Sequence, residues 1–268
     1  MDEMTNNAKV CRPKIHPLMK MTHHDKQARA AEKSCLLLDF LATGEIWTTL
    51  SVIAPLINAS EQTSRRLVQK MIRDGSIKVD TIITGGAQLK IYGITKIGMS
   101  LARHVEPCVK AYEIGRTHPD YALHHIECQR VRLVHEQQYG AIGWVPERAL
   151  IYKLSEEERR GKKMPDALCD TADGGFIAIE VELNIKSLDR MKEALKQHLE
   201  AIFLDDVYFA VYYYTYKVSS LERLVRKIKT VTLRDGLVVE LDDSFWLYNF
   251  GIYDLKSIRE ELNELLCR

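Results

Sequence analysis

No stretch of this 268-residue chain approaches the ~20 consecutive apolar residues that cross a bilayer. Its opening, MDEMTNNAKV, has no apolar signal region either. Membrane insertion and secretion are therefore not expected, and a cytoplasmic location is. Cysteine is sparse and scattered: Cys11, Cys35, Cys108, Cys128, Cys169 and Cys267 form no CxxC pair and no Cys/His cluster in sequence. That argues against a disulfide framework and against structural zinc, and it fits a reducing compartment. Net charge is nearly absent too, at +1. Taken alone, this would disfavour a nucleic-acid partner, but it averages two unlike halves. Residues 1–105 carry 15 Lys/Arg against 9 Asp/Glu, whereas residues 106–268 carry 23 against 28. A basic front and an acidic back are the balance expected of DNA binding followed by a carboxylate-rich site, although solvated faces produce such splits as well.

What is present is an ordinary globular composition, 46% hydrophobic and 28% charged, in a chain long enough for two modest domains. Residues 1–25 read as an irregular, basic arm. From 26 to 105 the pattern gives a helix over about 27–41 that ends near Gly44, then a short helix from Leu50 to Asn58. Small capping residues follow at Asn58-Ala-Ser60, then EQTSRRLVQKMIRDG, with Leu67, Met71 and Ile72 at helical spacing and Gly75 as its stop. SIKVDTII and AQLKIYGIT are β-rich and joined at Gly85-Gly86, a hairpin signature. TKIGMSLARHV closes the unit as a helix. This is the element order of a winged helix-turn-helix, in which the third helix enters the major groove and the hairpin tracks the backbone. Ser64, Arg65, Arg66, Gln69, Lys70 and Arg73 would face DNA, with Lys78 and Lys90 on the hairpin reaching phosphates. Protein–protein contact is the competing use of such a unit.

In 106–268, residues 117–137 are helical, and Leu123, Glu127, Val131 and Val134 share a stripe. Glu127 then stands among apolar neighbours and needs a metal or a hydrogen-bond partner; a rotated helix would instead expose it. Residues 141–153 read as a strand, followed by the charged loop LSEEERRGKK. The segment 164–187, MPDALCDTADGGFIAIEVELNIKS, reads as a hairpin turning at Asp173-Gly174-Gly175. A turn centred on residue 173 makes opposed positions sum to 346 and sets Asp166 across from Glu180. Ile177, Ile179, Val181 and Leu183 alternate toward the core, leaving Glu180 and Glu182 on the other face beside Asp166. Converging carboxylates repel unless a divalent cation joins them, and all-oxygen ligands suit Mg²⁺ or Mn²⁺. A helix capped by Ser187 follows, with Leu188, Met191, Leu195, Leu199 and Ile202 on one stripe. Then come a strand over 207–216 and a helix opened by Ser219-x-x-Glu222.

Pro165-Asp166, thirteen residues, then Glu180-Val-Glu182, within the order helix, three strands, helix, strand, resembles the PD-(D/E)xK nucleases. The winged helix joined to HHxE, WxPE, PDA and EVELNxKS is similar to the plasmid replication–relaxation proteins, including MobC-type mobilisation relaxases. The expected fold class is thus α+β or α/β: an amino-terminal winged helix-turn-helix at 26–105 and a restriction-endonuclease-like αβββαβ domain at 106–268. The resemblance implies a metal-dependent DNA nickase acting on a plasmid origin in mobilisation or replication, with accessory mobilisation proteins and a coupling protein as partners. A DNA-binding regulator with a degenerate nuclease fold is the alternative.

Under that resemblance Glu127, Asp166 and Glu180 would hold Mg²⁺ or Mn²⁺. The usual lysine of the third motif position is replaced by Glu182. Glu182 or Lys186, four residues on, would then orient or deprotonate water, and a simple Lys186–Glu182 ion pair is the plainer reading. His124 and His125 would contact the scissile phosphate, or be partly exposed surface histidines. Tyr208, Tyr212, Tyr214 and Tyr216, placed on one strand face, raise the option of a tyrosine nucleophile. Packing is the stronger reading for them, because aromatic side chains favour strands.

Overall fold

The computed structural model describes residues 22–141, 143–160, 162–172 and 174–267. The arm expected at 1–25 lies outside the described residues up to 21. Beyond that it is not irregular, because Thr22 caps helix α1 (His23–Phe40) in a capping box with Asp25. A single π-helical turn, Leu41–Glu45, ends that helix through Gly44 at φ 119° and Ile46 at φ 65°. Strand β1 (Trp47–Thr48), α2 (Leu50–Leu56) and α3 (Glu61–Arg73) follow. The Ser60 hydroxyl accepts the Thr63 N–H at the start of α3, which buries Leu67, Val68 and Met71. Strands β2 (Ile77–Thr84) and β3 (Ala87–Ile94) form the hairpin with Thr84 opposite Ala87. Its two-residue link, Gly85-Gly86, has positive φ at both positions, the requirement of a type I′ turn. β1 pairs with β3, giving a three-stranded antiparallel sheet. Helix α4 (Lys96–Leu101) then opens on Thr95, whose hydroxyl accepts the Gly98 N–H.

Helix α5 (Pro119–Gln137) leads into β4 (Gly143–Pro146), α6 (Glu147–Lys153) and α7 (Glu156–Arg159). The strand expected over 141–153 is thus four residues long. Beyond Pro146 the chain turns helical, and of ERALIYK only Ala149 is buried. Strands β5 (Ala167–Asp170) and β6 (Phe176–Glu182), helix α8 (Leu188–Phe203), strand β7 (Ala210–Thr215) and helix α9 (Val218–Val225) complete the anticipated order. Ser219 and Glu222 form no capping box, because α9 already begins at Val218 after Lys217. The β8 (Thr230–Thr232) and β9 (Val238–Glu240) pair, α10 (Asp243–Tyr248), β10 (Phe250–Asp254) and α11 (Leu255–Cys267) were not anticipated.

The larger sheet runs β10-β7-β6-β5-β4, antiparallel among β4, β5 and β6, and parallel from β6 through β7 to β10. Ala167 pairs with Ile179 and Asp170 with Phe176, the register deduced from the turn, whose residue 173 is outside the described residues. β6 is the central strand and is covered on both faces. Ile177, Ile179 and Val181 meet α5 and α11 in one core cluster, which continues into α1, α2 and α3 through Leu37, Ile53 and Val68. Ala178, Val211 and Tyr213 meet Met191, Leu195 and Leu199 of α8 in a second. The fold is mixed α and β.

Candidate functional site

Two regions gather the residues of interest. The first is the outer face of α3. Arg65, Arg66, Gln69, Lys70 and Arg73 are exposed. Arg65 pairs with Glu61 one turn earlier, while Arg66, Lys70 and Arg73 have no carboxylate partner among the described residues. Ser64, expected outward, is buried with its hydroxyl on the Ser60 carbonyl. Between α3 and the hairpin runs a groove of about 590 Å³, lined by Glu61, Arg65, Gln88, Lys90 and Tyr92 among others. Thr81 is opposite Lys90 and Lys78 opposite Gly93, so side-chain alternation puts the two lysines on opposite faces of the hairpin. Lys90 borders the groove. Lys78 instead lies over the Tyr112 ring, 5.8 Å from its centroid.

The second region lies where α5 crosses the edge of β5 and β6. His124 Nε2 is 3.1 Å from Asp166 Oδ2 and 3.0 Å from the Val181 carbonyl oxygen. The Val181 N–H donates to the same Asp166 oxygen at 2.7 Å. Burial opposes protonation of His124, but hydrogen bonding and charge from Asp166, aided by the Val181 carbonyl, raise its pKa above the ordinary value. Cys128, one turn along α5, places Sγ 3.7 Å from His124 Nδ1. These groups line a cleft of about 260 Å³ with Gly44, Glu45, Trp144, Pro146, Glu147 and Arg148. Burial, then the charge of Asp166, push the Glu147 carboxyl up. His125 also borders the cleft, but its ring packs on Trp47, with Nε2 held between the Glu45 carbonyl and Gln129.

The three expected Mg²⁺ or Mn²⁺ ligands are not brought together. Glu127 is buried, as its stripe implied, but on the α5 side of the sheet. There it meets Arg130 at 2.6 Å and Arg259 of α11. Leu123 of the same supposed stripe is exposed. Glu180 points to the opposite face, paired with Lys163 and 3.4 Å from His198 of α8. Burial would raise its pKa, yet Lys163 and His198 outweigh burial and hold it at about 2. Glu182 pairs with Lys186, the plainer reading of those two residues. Glu127, Glu180 and Glu182 therefore each have their own cation or imidazole, and repulsion among them calls for no shared ion. The tyrosines are packing residues: Tyr213 and Tyr214 are buried, with burial first among the causes that keep both phenols neutral. Tyr208 joins the α8 cluster while Tyr212, Tyr214 and Tyr216 join the other, because residue 208 precedes the strand.

Sequence reasoning missed Cys128, Glu147, Glu45, Lys163 and His198. The one local signal was His124-x₃-Cys128, a spacing that stacks two side chains on one helix face.

No family model matches the chain, and no curated protein matches it. Among solved structures, an O-methyltransferase (NcsB1) from neocarzinostatin biosynthesis, in complex with S-adenosyl-L-homocysteine, matches at 16% identity. The match covers 88% of this chain and 69% of that one, with a TM-score of 0.21. No match supports the resemblance to plasmid replication–relaxation proteins, and its expected ligands Glu127 and Glu180 hold separate cations; the nickase activity, the degenerate-nuclease alternative and the Mg²⁺ or Mn²⁺ requirement are withdrawn with it. The matching structure is a methyltransferase, not a nuclease, and at that TM-score it lends this chain neither a fold nor an activity.

Proposed function

We propose that residues 26–105 form a winged-helix unit that binds duplex DNA, with α3 in the major groove and the β2–β3 hairpin beside the backbone. The observation that carries this reading is the exposed row Arg66, Lys70 and Arg73 on α3, cations with no carboxylate partner among the described residues. A surface cation on a helix can pair at i,i+4, as Arg65 does with Glu61, and a row without such partners is available to phosphates. The order α1, α2, α3, hairpin and the β1–β3 pairing support the winged-helix assignment. Gln69 stands among the cations with a side-chain amide of the kind that reads adenine edges. Lys90 and Arg65 both line the groove between α3 and the hairpin, whereas Lys78, on the other face of the hairpin, has no part in it.

The test is fluorescence anisotropy of the full chain with random-sequence duplex DNA over a range of salt. Replacing Arg66, Lys70 and Arg73 by Ala together is expected to weaken binding and flatten the salt dependence by roughly one unit of slope per lost phosphate contact. Lys78→Ala is expected to leave both unchanged. Wild-type affinity and slope in the triple variant would sink the proposal.

A further inference from the structure

We infer that His124, Cys128 and Asp166 form a binding site for a zinc-class transition-metal ion, with one coordination position open to the cleft beside them. Helix α5 supplies the first two residues, stacked one turn apart on one face, and the chain entering β5 supplies the third. One ligand atom from each lies within 4.8 Å of the others, and among the described residues this is the group of three metal-ligating side chains that meets that condition. The separations are 3.1 Å from His124 Nε2 to Asp166 Oδ2 and 4.0 Å from that nitrogen to Cys128 Sγ. A tetrahedral zinc centre with ordinary bond lengths sets its ligand atoms roughly 3.3–3.8 Å apart. The two separations from the His124 nitrogen lie within a few tenths of an ångström of that range, and the Cys128 and Asp166 ligand atoms stand within 4.8 Å of each other.

The donor set determines the metal class. One imidazole, one thiolate and one carboxylate are the mixture that zinc accepts and that Mg²⁺ and Ca²⁺ reject. The site is also supported from behind, since the Val181 N–H donates to Asp166 and fixes the carboxylate where His124 meets it. Its electrostatic setting favours a cation: Glu147 and Asp166 line the cleft beside Glu45, which Arg132 already pairs, while Arg148 is the one lysine or arginine in the lining. All three ligands border that cleft of about 260 Å³, so a fourth position faces space for water or an oxygen atom of a small ligand. Three protein ligands and an open position are the arrangement of reactive rather than closed structural zinc centres. Spacing among the cysteines gave no sign of this, because only one of them takes part, and the His124-x₃-Cys128 spacing was the one local signal.

The test uses the full chain after chelator treatment, titrated with Co²⁺ as a spectroscopic stand-in and then displaced by Zn²⁺. One equivalent of Co²⁺ is expected to give a thiolate-to-cobalt charge-transfer band that Zn²⁺ abolishes. Cys128→Ser is expected to lose the band. Cys169→Ser is expected to keep it, although Cys169 also lies near a histidine, His135. His124→Gln and Asp166→Asn should each weaken Co²⁺ binding by about tenfold or more. Zn²⁺ should raise the melting temperature of wild type and not of Cys128→Ser. Circular dichroism in chelator separates loss of metal from loss of fold, and the other two variants carry the test if Cys128→Ser does not fold. Absence of the band in wild type, its persistence in folded Cys128→Ser, or unchanged affinity in both His124→Gln and Asp166→Asn would overturn the inference.

Discussion

His135 is buried on α5 with Nε2 2.7 Å from the Tyr214 hydroxyl, a phenol that burial keeps neutral. Burial alone drives its pKa from 6.5 to about 4. Between about 4 and 6.5 the unfolded chain binds a proton at this residue that the folded chain refuses. The contribution to stability is complete above 6.5 and is lost as pH falls through that window. His125 and His198 are depressed as well, with burial the leading cause, and act in the same direction. Glu180 behaves separately: its pKa is lowered from 4.5 to about 2, so its contribution is present above 4.5 and fades below it. His135→Gln keeps a hydrogen-bonding partner for Tyr214 and cannot titrate. Urea midpoints measured from pH 7 to pH 4 are expected to fall less steeply in this variant, by one proton's worth of slope. An unchanged slope would show that His135 is not held neutral. None of these partners could be read from sequence. Lys163, His198 and Arg259 reach Glu180 and Glu127 from elements distant along the chain, and a carboxylate's neutralising partner is a tertiary fact. The paired side chains Glu182 and Lys186, four residues apart, were legible for the opposite reason.

Elements with complete local signals were legible with their boundaries. α3 has its Ser60 cap and apolar spacing, the first hairpin its Gly85-Gly86 turn, and β5–β6 its register from one glycine turn. Where the alternation on β6 suggested one wet face, the structure shows Glu180 and Glu182 buried, because β6 is central and α8 covers the face they share. The π-helical turn at 41–45 had no signal beyond Gly44. Gly44 has φ 119°, and a Cβ there would stand 2.5 Å from Pro146 Cγ. Backbone conformation and space therefore both oppose any side chain. The turn aims the Glu45 carbonyl at His125 and sets Ile46 at φ 65°, costly for a β-branched residue and tolerated only where the surroundings hold it. Gly44→Ala is expected to destabilise by about 2–3 kcal/mol in urea unfolding. A change below about 0.5 kcal/mol, the usual size of a neutral surface substitution, would show that the turn relaxes freely.

At the scale of the molecule, the two halves that composition separates are joined by one core and by a buried polar joint. Leu37, Ile53 and Val68 of the amino-terminal helices share a cluster with Val131, Ile179 and Leu262 of the sheet and its covering helices. Thr48 donates to the Gln129 side chain at 2.7 Å, and Gln129 donates to the Trp47 carbonyl. Arg132 meets Glu45 at 3.0 Å and Glu136 at 2.8 Å, and its guanidinium lies 4.5 Å from the centre of the Phe40 ring. A shared core predicts that the halves unfold together, so calorimetry of the full chain should show one transition with equal calorimetric and van't Hoff enthalpies. Arg132→Ala tests the joint. It leaves Glu45 buried without its cation, a loss expected to cost about 3–5 kcal/mol and to lower the whole transition. Arg132→Met should cost less, since a thioether chain of similar reach preserves the contact with Phe40. Two resolved transitions in wild type, or an Arg132→Ala scan in which only part of the heat moves, would mean that the amino-terminal half folds on its own and that the joint is a docking contact between independent units.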